Sequence, residues 1–470
     1  MDVSAVAPKQ NMEECHDKCG GVRFRQPGLR GRMMRTTDRL LGRYLRGAFA
    51  NLAHFDLGAP VALPEASRAQ PDVLYVHIPF CESLCPFCSF HRVKLDRNAA
   101  IPYFNSLRTE IRAVADKGFK PAVVYVGGGT PTVLPDELVE TLELVRSLFP
   151  IRQISIETNP NHLRQEILST LKSVGVNRVS VGVQSFDDDL LRAMGRYESY
   201  GSARQIIECL QLAQGRFDTL NADMIFNLPH QSERSLRRDS EILCEEIGID
   251  QVSWYPLMAS QRTGARMQQS MGDYTLDNER PCYDLIRAAM DVDYQLASVW
   301  CFSRKAGLVD EYITADTEYI GVGSGSFSYL GGVMYANTFS IERYGQFIDK
   351  KRTAMTAVRQ LTLIERARYD MVMTLFGLSM DKQKLDEKFD GRLLRILWKE
   401  ILLLKLAGAV SDDGRSLTLT RKGQYEWLII MREFFIGINN FRDQMRHHGK
   451  AERDAIVSLG VETDLHVAGG

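Results

Sequence analysis

The reading turns on Val73-Leu-Tyr-Val-His-Ile-Pro-Phe-Cys81-Glu-Ser-Leu-Cys85-Pro-Phe-Cys88-Ser-Phe-His-Arg92. It opens with an apolar, β-branched run, Val73–Ile78, of strand length. Three cysteines then crowd into one loop. Thiolates at the spacing C-x3-C-x2-C can wrap a single iron–sulfur cluster. A cubane has four irons, so three protein ligands leave one iron open. Catalytic metal sites keep such an open position, whereas structural sites are closed. Zinc is the competing occupant; it needs a fourth ligand, for which His77 or His91 is near.

Outward from this loop the chain alternates strand and helix. The patterns predict strands over Val73–Ile78, Ala122–Val126, Gln153–Glu157, Arg178–Val183, Thr219–Phe226 and Gln251–Pro256. Helical periods fall between them, over Ile101–Lys117, Asp136–Phe149, His162–Val174, Asp187–Gly195, Ser202–Gln214 and Ser232–Ile247. Such repeats argue for parallel strands with right-handed crossovers, closed as a complete or partial barrel or laid out as a doubly wound sheet. Residues 257–330 are less regular and end in the run Gly321–Gly325. Helical stretches follow at Thr362–Phe376 and Arg392–Ala407, then a short hairpin around Val410 and Leu417–Leu419. Together these suggest a small winged-helix-like unit. The helix predicted over Gln424–Arg446 is apolar around most of its circumference, hence buried or membrane-facing, with burial favoured. The domains read as an N-terminal extension 1–70, an α/β domain 71–330, a C-terminal helical domain 350–446 and a tail 447–470.

Composition is that of a globular protein, with 44% hydrophobic and 25% charged residues in 470. The 58 basic and 59 acidic side chains nearly cancel, so no nucleic-acid partner is expected. No apolar run has membrane-spanning length, and the N-terminus lacks the apolar core of a secretory signal. Nine cysteines, three of them adjacent, fit a reducing cytoplasm and a metal site better than a disulfide scaffold. Cys15 and Cys19 lie in a polar leader without periodicity. Residues 23–46 carry eight arginines and one acid, with Leu40, Leu41, Tyr44, Leu45, Ala48 and Phe49 at helical spacing. Such a basic helix lies on an anionic membrane surface or docks on the main domain. The first option implies peripheral contact with the inner face of the cytoplasmic membrane.

The cysteine loop resembles the hallmark of the radical S-adenosylmethionine (radical SAM) superfamily. Further motifs resemble the oxygen-independent coproporphyrinogen III oxidase-like family: Tyr75-Val-His-Ile-Pro-Phe-Cys81, Gly127-Gly-Gly-Thr-Pro-Thr132, Ser155-Ile-Glu-Thr-Asn-Pro160, Gly182-Val-Gln-Ser-Phe186, Met194-Gly-Arg196, and Asp223 ahead of Asn227-Leu-Pro229. The resemblance implies a partial (β/α)6 TIM-type radical SAM barrel, with the N-terminal extension and C-terminal domain attached. It implies a 4Fe–4S cluster on Cys81, Cys85 and Cys88, and two molecules of S-adenosylmethionine. By residue matching, Phe87, Gly129, Thr130, Gln184, Arg196 and Asp223 would hold the cleaved molecule. Tyr75, Gly128, Glu157 and Phe327 would hold the second. The chemistry suits these types: carboxylates accept ribose hydroxyls, and a guanidinium forks a carboxylate. The glycine run is also good turn chemistry.

The family contains several reactions. Its decarboxylases carry another cysteine close behind the cluster loop, where this chain reads Ser89-Phe90-His91-Arg92. The phrase Cys88-Ser-Phe-His-Arg92 and the segment Met431–Arg446 resemble the class C methyltransferase branch that methylates menaquinone on its ring. In that branch an adenosyl radical abstracts hydrogen from the second cofactor's methyl group, which then adds to an aromatic carbon. The alternative is tetrapyrrole chemistry: coproporphyrinogen III decarboxylation, anaerobic heme opening or heme trafficking. The expected partners are a quinone or tetrapyrrole and a reducing donor such as flavodoxin or ferredoxin, with the chain a monomer. Cys301, in Val299-Trp-Cys-Phe302, is a candidate proton carrier, against the plainer reading of a buried small hydrophobe.

Overall fold

Six parallel strands form where the hydrophobic pattern places them: β1 (Val73–Ile78), β2 (Val123–Gly128), β3 (Gln153–Thr158), β4 (Arg178–Gln184), β5 (Thr219–Phe226) and β6 (Gln251–Pro256). They pair in chain order. Val124, Val126, Ile156, Val179 and Val181 on these strands are fully buried, as expected of strands covered on both faces. The computed structural model describes residues 55–57, 61–66, 70–305, 318–350 and 353–458, from 448 on by backbone alone. The predicted basic helix of the N-terminal extension, Cys15 and Cys19 lie outside the described residues.

The crossover helices are α1 (Arg97–Asp116), α2 (Pro135–Leu148), α3 (Gln165–Ser173), α4 (Asp188–Ala193), α5 (Ala203–Ala213) and α6 (Glu233–Glu241). Their starts are chemically marked. Ser202 and Ser232 each accept from the backbone N–H three residues on and close a reciprocal capping box.

The sheet extends beyond the six repeats. The segment that reads as irregular supplies strands to both edges. On one edge β7 (Cys301–Ser303) runs antiparallel to β6. On the other, β8 (Tyr319–Val322) lies parallel to β1 and continues into an antiparallel meander, β9 (Phe327–Leu330), β10 (Val333–Asn337) and β11 (Met355–Gln360). Apart from the six-residue β11, these added strands have three to five residues, too short to show a clear two-residue period, which is why the sequence conceals them. Helices α7 (Gln261–Met271) and α8 (Glu279–Met290) occupy the rest of that segment.

The C-terminal unit begins with α9 (Leu363–Phe376), whose Thr362 closes another capping box. A three-stranded antiparallel sheet follows, with Ser416–Leu419 between Ser379–Asp381 and Val410–Asp412. It completes the expected winged-helix-like hairpin. Short helices α10 (Leu393–Ile396) and α11 (Trp398–Leu406) lie between its strands. The last helix, α12 (Arg421–Ser458), outruns its predicted bounds at both ends. Trp427, Leu428, Ile429 and Met431 are fully buried, so burial, not lipid, accounts for its apolar circumference. Arg432 neutralises it internally, pairing with Glu279 of α8 and with Glu433 at 2.7 Å. Among the described residues no helix is long and apolar enough to cross a membrane.

One buried acid ties helix to strand end. Asp239 of α6 accepts from Phe186 N at 2.8 Å and from Ser185 Oγ at 2.9 Å, pinning the turn after β4. Burial pushes its carboxyl up to about 7. An unfolded aspartate titrates near 3.9, so between roughly pH 4 and pH 7 the folded chain binds the extra proton and stability falls as pH rises. Asp239→Asn keeps an acceptor for Phe186 N and removes the ionisation. The variant is expected to lose less thermal stability than the parent between pH 5.5 and pH 8, read as the two Tm differences.

Candidate active site

The cysteine loop leaves β1 and crosses the strand ends. Cys81 and Cys85 are buried and Cys88 is half-buried. All three line one chamber of about 190 Å³. Arg92 braces the loop from behind, donating to the carbonyls of Cys85 and, at 3.0 Å, Cys88. Burial alone would raise the Cys88 thiol, but the adjacent guanidinium of Arg92 holds it below the ordinary value. Cys81 behaves oppositely: burial, reinforced by charge on Cys88, pushes it up to about 12. A positive centre in place of a proton relieves that penalty, as thiolate ligation does.

A chain of hydrogen bonds joins two of these sulfurs across the chamber. Thr130 Oγ1 donates to Cys81 Sγ at 3.7 Å and accepts from Asn159 Nδ2 at 2.8 Å. Asn159 Oδ1 accepts from Arg196 Nη2 at 3.0 Å, and Arg196 Nη1 reaches Cys85 Sγ at 3.5 Å. Arg196 also donates to the Gly182 carbonyl, and its guanidinium lies 4.2 Å from the Tyr200 ring centroid. Its Nε is buried without a hydrogen-bond partner. A buried guanidinium N–H is costly to leave unpaired, and an incoming carboxylate would satisfy it. Three thiols with donors on two of them, beside an orphaned cationic N–H, fit a cluster with a carboxylate-bearing ligand.

The glycine run has a more specific reason than turn chemistry. Gly128 sits at φ +120°, and a Cβ there would lie 2.7 Å from the His77 ring. A Cβ on Gly129 would lie 2.6 Å from the Phe80 carbonyl. Only glycines allow the backbone to pass this close to His77 and Phe80, and the close approach carries Thr130 to Cys81 and Gly128 N to Glu157 Oε2 at 3.0 Å. His77 is held neutral: burial lowers it to about 4, Nε2 donates to the His91 carbonyl at 2.9 Å, and Nδ1 accepts from Tyr75 Oη at 2.8 Å.

Of the residues assigned to the cleaved cofactor, Phe87, Gly129, Thr130, Gln184, Arg196 and Asp223 all line this first chamber. Gln184 reaches it through a break in strand register and a φ of +76°. Asp223 is oriented by Ser180 Oγ at 2.9 Å and Asn221 Nδ2 at 2.8 Å.

A second chamber, of about 160 Å³, adjoins the first. Phe90, Glu157, Phe435 and Arg442 line both, so they form the neck between them. Tyr75 and Phe327 line the second chamber, as assigned. Gly128 lines the first instead, because its backbone turns at the end of β2. Glu157 accepts from Tyr125 Oη at 2.6 Å. Arg442 lies over the rings of Phe90 and Phe327, at 4.8 and 5.6 Å to the centroids.

Cys301 departs from its assignment. It is fully buried in β7 and lines neither chamber; its neighbour Trp300 lines the first. Sequence reasoning also missed Asn159, although it stands two residues after Glu157 in a quoted motif. It missed the roof altogether. α12 lies across the strand ends: Asn439 Nδ2 donates to Met258 O at 2.8 Å, and Arg446 Nη1 to Phe90 O at 2.7 Å.

Comparison with known proteins agrees with this geometry. Residues 75–241 match the Radical SAM superfamily model. The heme chaperone HemW of Bacillus subtilis (strain 168) is 27% identical over 376 residues, 74% of this chain and 95% of the relative. The oxygen-independent coproporphyrinogen III oxidase of Escherichia coli (strain K12) is 27% identical over 406 residues, 78% of this chain and 87% of the relative. The solved structure of coproporphyrinogen III oxidase (HemN) from Escherichia coli superposes with a TM-score of 0.65 at 25% identity, covering 79% of this chain and 91% of that one. These relatives are named for heme and porphyrin chemistry; they support the wider family of the sequence reading and not its methyltransferase branch. The family model falls on the cysteine loop and the strands that surround it, and the chain is similar to the coproporphyrinogen oxidases and heme chaperones over most of its length.

Proposed function

We propose that this chain is a radical SAM enzyme that cleaves S-adenosylmethionine in the first chamber and acts on a tetrapyrrole or quinone-type ring compound admitted at the neck. The observation that carries the reading is the hydrogen-bonded path Cys81–Thr130–Asn159–Arg196–Cys85, with Arg196 Nε left to a ligand. Cys81, Cys85 and Cys88 would hold a 4Fe–4S cluster, which would supply the electron for cleavage of the sulfonium bond. Arg196 would take the methionyl carboxylate, Asp223 and Gln184 the ribose, and Phe87 would pack near the adenine. Glu157 and Arg442, at the neck, would orient what enters from the second chamber. α12 and Phe435 would keep water from the reacting carbon.

The relatives support a tetrapyrrole as the ring: one is named for coproporphyrinogen oxidation, others for heme delivery. A second reading, methylation of a quinone ring carbon such as that of menaquinone, has its own observation. The second chamber is lined chiefly by apolar and aromatic side chains, including Tyr319, Met334, Tyr369, Met373, Phe434 and Ile438. Its charged lining residues are Glu157 and Arg442. A porphyrinogen carries several carboxylates, each costly to bury without a cation, whereas a quinone carries none. The stretch Ser89-Phe90-His91-Arg92, without the further cysteine that decarboxylases carry close behind the cluster loop, points the same way. Tyr75, Glu157 and Phe327 would then hold a second S-adenosylmethionine as methyl donor.

One experiment separates the readings. Reconstituted protein under dithionite receives methyl-labelled S-adenosylmethionine with coproporphyrinogen, heme or menaquinone. Porphyrinogen decarboxylation or heme modification supports the tetrapyrrole; a label-bearing quinone one methyl heavier supports ring methylation. If 5′-deoxyadenosine forms while all three compounds stay unchanged, the proposed substrate class is wrong.

A further inference from the structure

The winged C-terminal unit exposes an apolar stripe that the described residues leave uncovered. Trp398, Leu402 and Leu406 are four residues apart on α11, and so share one face. They are 55%, 46% and 75% exposed, with Leu403 beside them at 65%. The opposite side of the same helix satisfies the core, through Ile401 and Leu404. The stripe is therefore not needed to hold α11 in place. Leu363 and Ile364, at the start of α9, are exposed as well. Arg368 of α9 meets Glu400 of α11 at 2.6 Å. Contiguous apolar surface of this kind marks a docking site.

Its charges choose the occupant. Arg395 and Lys399 stand along the stripe, and neither forms an ion pair among the described residues; Lys399 Nζ lies 5.6 Å from the Trp398 ring centroid. The acid on α11, Glu400, is committed to Arg368. A second copy docked about a two-fold axis would set this cationic stripe against itself. The chain's own arginine-rich segment 23–46 would bring more positive charge. An anionic bilayer surface supplies what the stripe lacks: apolar depth for leucine and tryptophan, and phosphates for the cations.

We infer that α11 and the start of α9 dock this protein on an anionic membrane surface. α9 is shared with the active site. Its Tyr369 and Met373 line the second chamber, while Ile364, more than a helical turn earlier, faces out. The docked face is one helix removed from the chamber. The inference does not depend on which ring is the acceptor.

Trp398 makes it measurable, because Trp254, Trp300 and Trp427 are fully buried. Reconstituted full-length protein is mixed with phosphatidylcholine vesicles with or without phosphatidylglycerol. Co-sedimentation is expected with the anionic vesicles only, with a blue-shifted tryptophan emission that acrylamide no longer quenches. Leu403→Glu with Leu406→Glu should weaken binding by about tenfold or more, as the apolar contribution is replaced by repulsion, while the thermal unfolding curve is unchanged. Trp398→Phe should remove the spectral shift while the protein still sediments. Failure to bind anionic vesicles overturns the inference, as does binding that the double substitution leaves intact. A dimer in sedimentation velocity that the same substitutions disperse, without vesicle binding, assigns the stripe to a second copy instead.

Discussion

Cys85→Ala protein, purified and reconstituted without oxygen, is expected to be colourless, to hold no 4Fe–4S cluster and to form no detectable 5′-deoxyadenosine under dithionite. The loss is total because two thiols remain where three are needed, and because Cys85 is also where Arg196 ends its hydrogen-bonded path. The fold should survive. Cys85 lies in a loop that is held independently by Arg92 and by Arg446. Iron and sulfide analysis beside a thermal melt checks both halves. A brown, cluster-bearing Cys85→Ala protein that still releases 5′-deoxyadenosine would remove the chemical basis of the site.

Arg196→Met should have the second-largest effect, and a different signature. The guanidinium meets Cys85 Sγ, Asn159 Oδ1 and the Gly182 carbonyl in a nearly inaccessible position. Removing one partner of such buried charged contacts costs about 3–5 kcal/mol. Felt by the bound cofactor, that corresponds to roughly a 10²- to 10⁴-fold loss in S-adenosylmethionine cleavage at low cofactor concentration. Iron content should stay near that of the parent, since no ligand is lost. Arg196→Lys keeps the charge without the fork, and should recover part of the Tm but little of the cofactor affinity. Unchanged affinity in both variants, measured by equilibrium binding, would show that Arg196 holds the protein and not the ligand.

These two predictions rest on residues that short motifs made legible. The cysteine loop, the glycine run, Glu157, Gln184 and Asp223 each sit at or near a strand end, and parallel strands deliver their ends to one place, where Arg196 joins them from the connection after α4. The strand–helix alternation was readable for the same local reason. What stayed hidden depends on distance along the chain. Asn159 matters because it joins Thr130, 29 residues back, to Arg196, 37 residues on. Nothing within its own motif reveals that bridge. The neck residues Phe435 and Arg442 come from α12, whose apolar pattern announced burial without saying against what. The edge strands were too short to declare themselves. Cys301 fits the plainer of its two readings, a buried small hydrophobe, because nearness in a motif does not fix which neighbour faces a cavity; Trp300 does.

The roof has a consequence for biosynthesis. Arg446 grips the Phe90 carbonyl across 356 residues of sequence. At typical elongation rates of about 5–20 residues per second, roughly 20–70 s separate the appearance of the two. During that interval the thiols have already left the ribosome while their cover has not been made. A nascent chain would thus present an uncapped iron-binding cleft to the cell, open to metal delivery and equally open to oxygen. Loading while the cleft is still uncapped, followed by closure under α12, is the order of events this topology permits most easily.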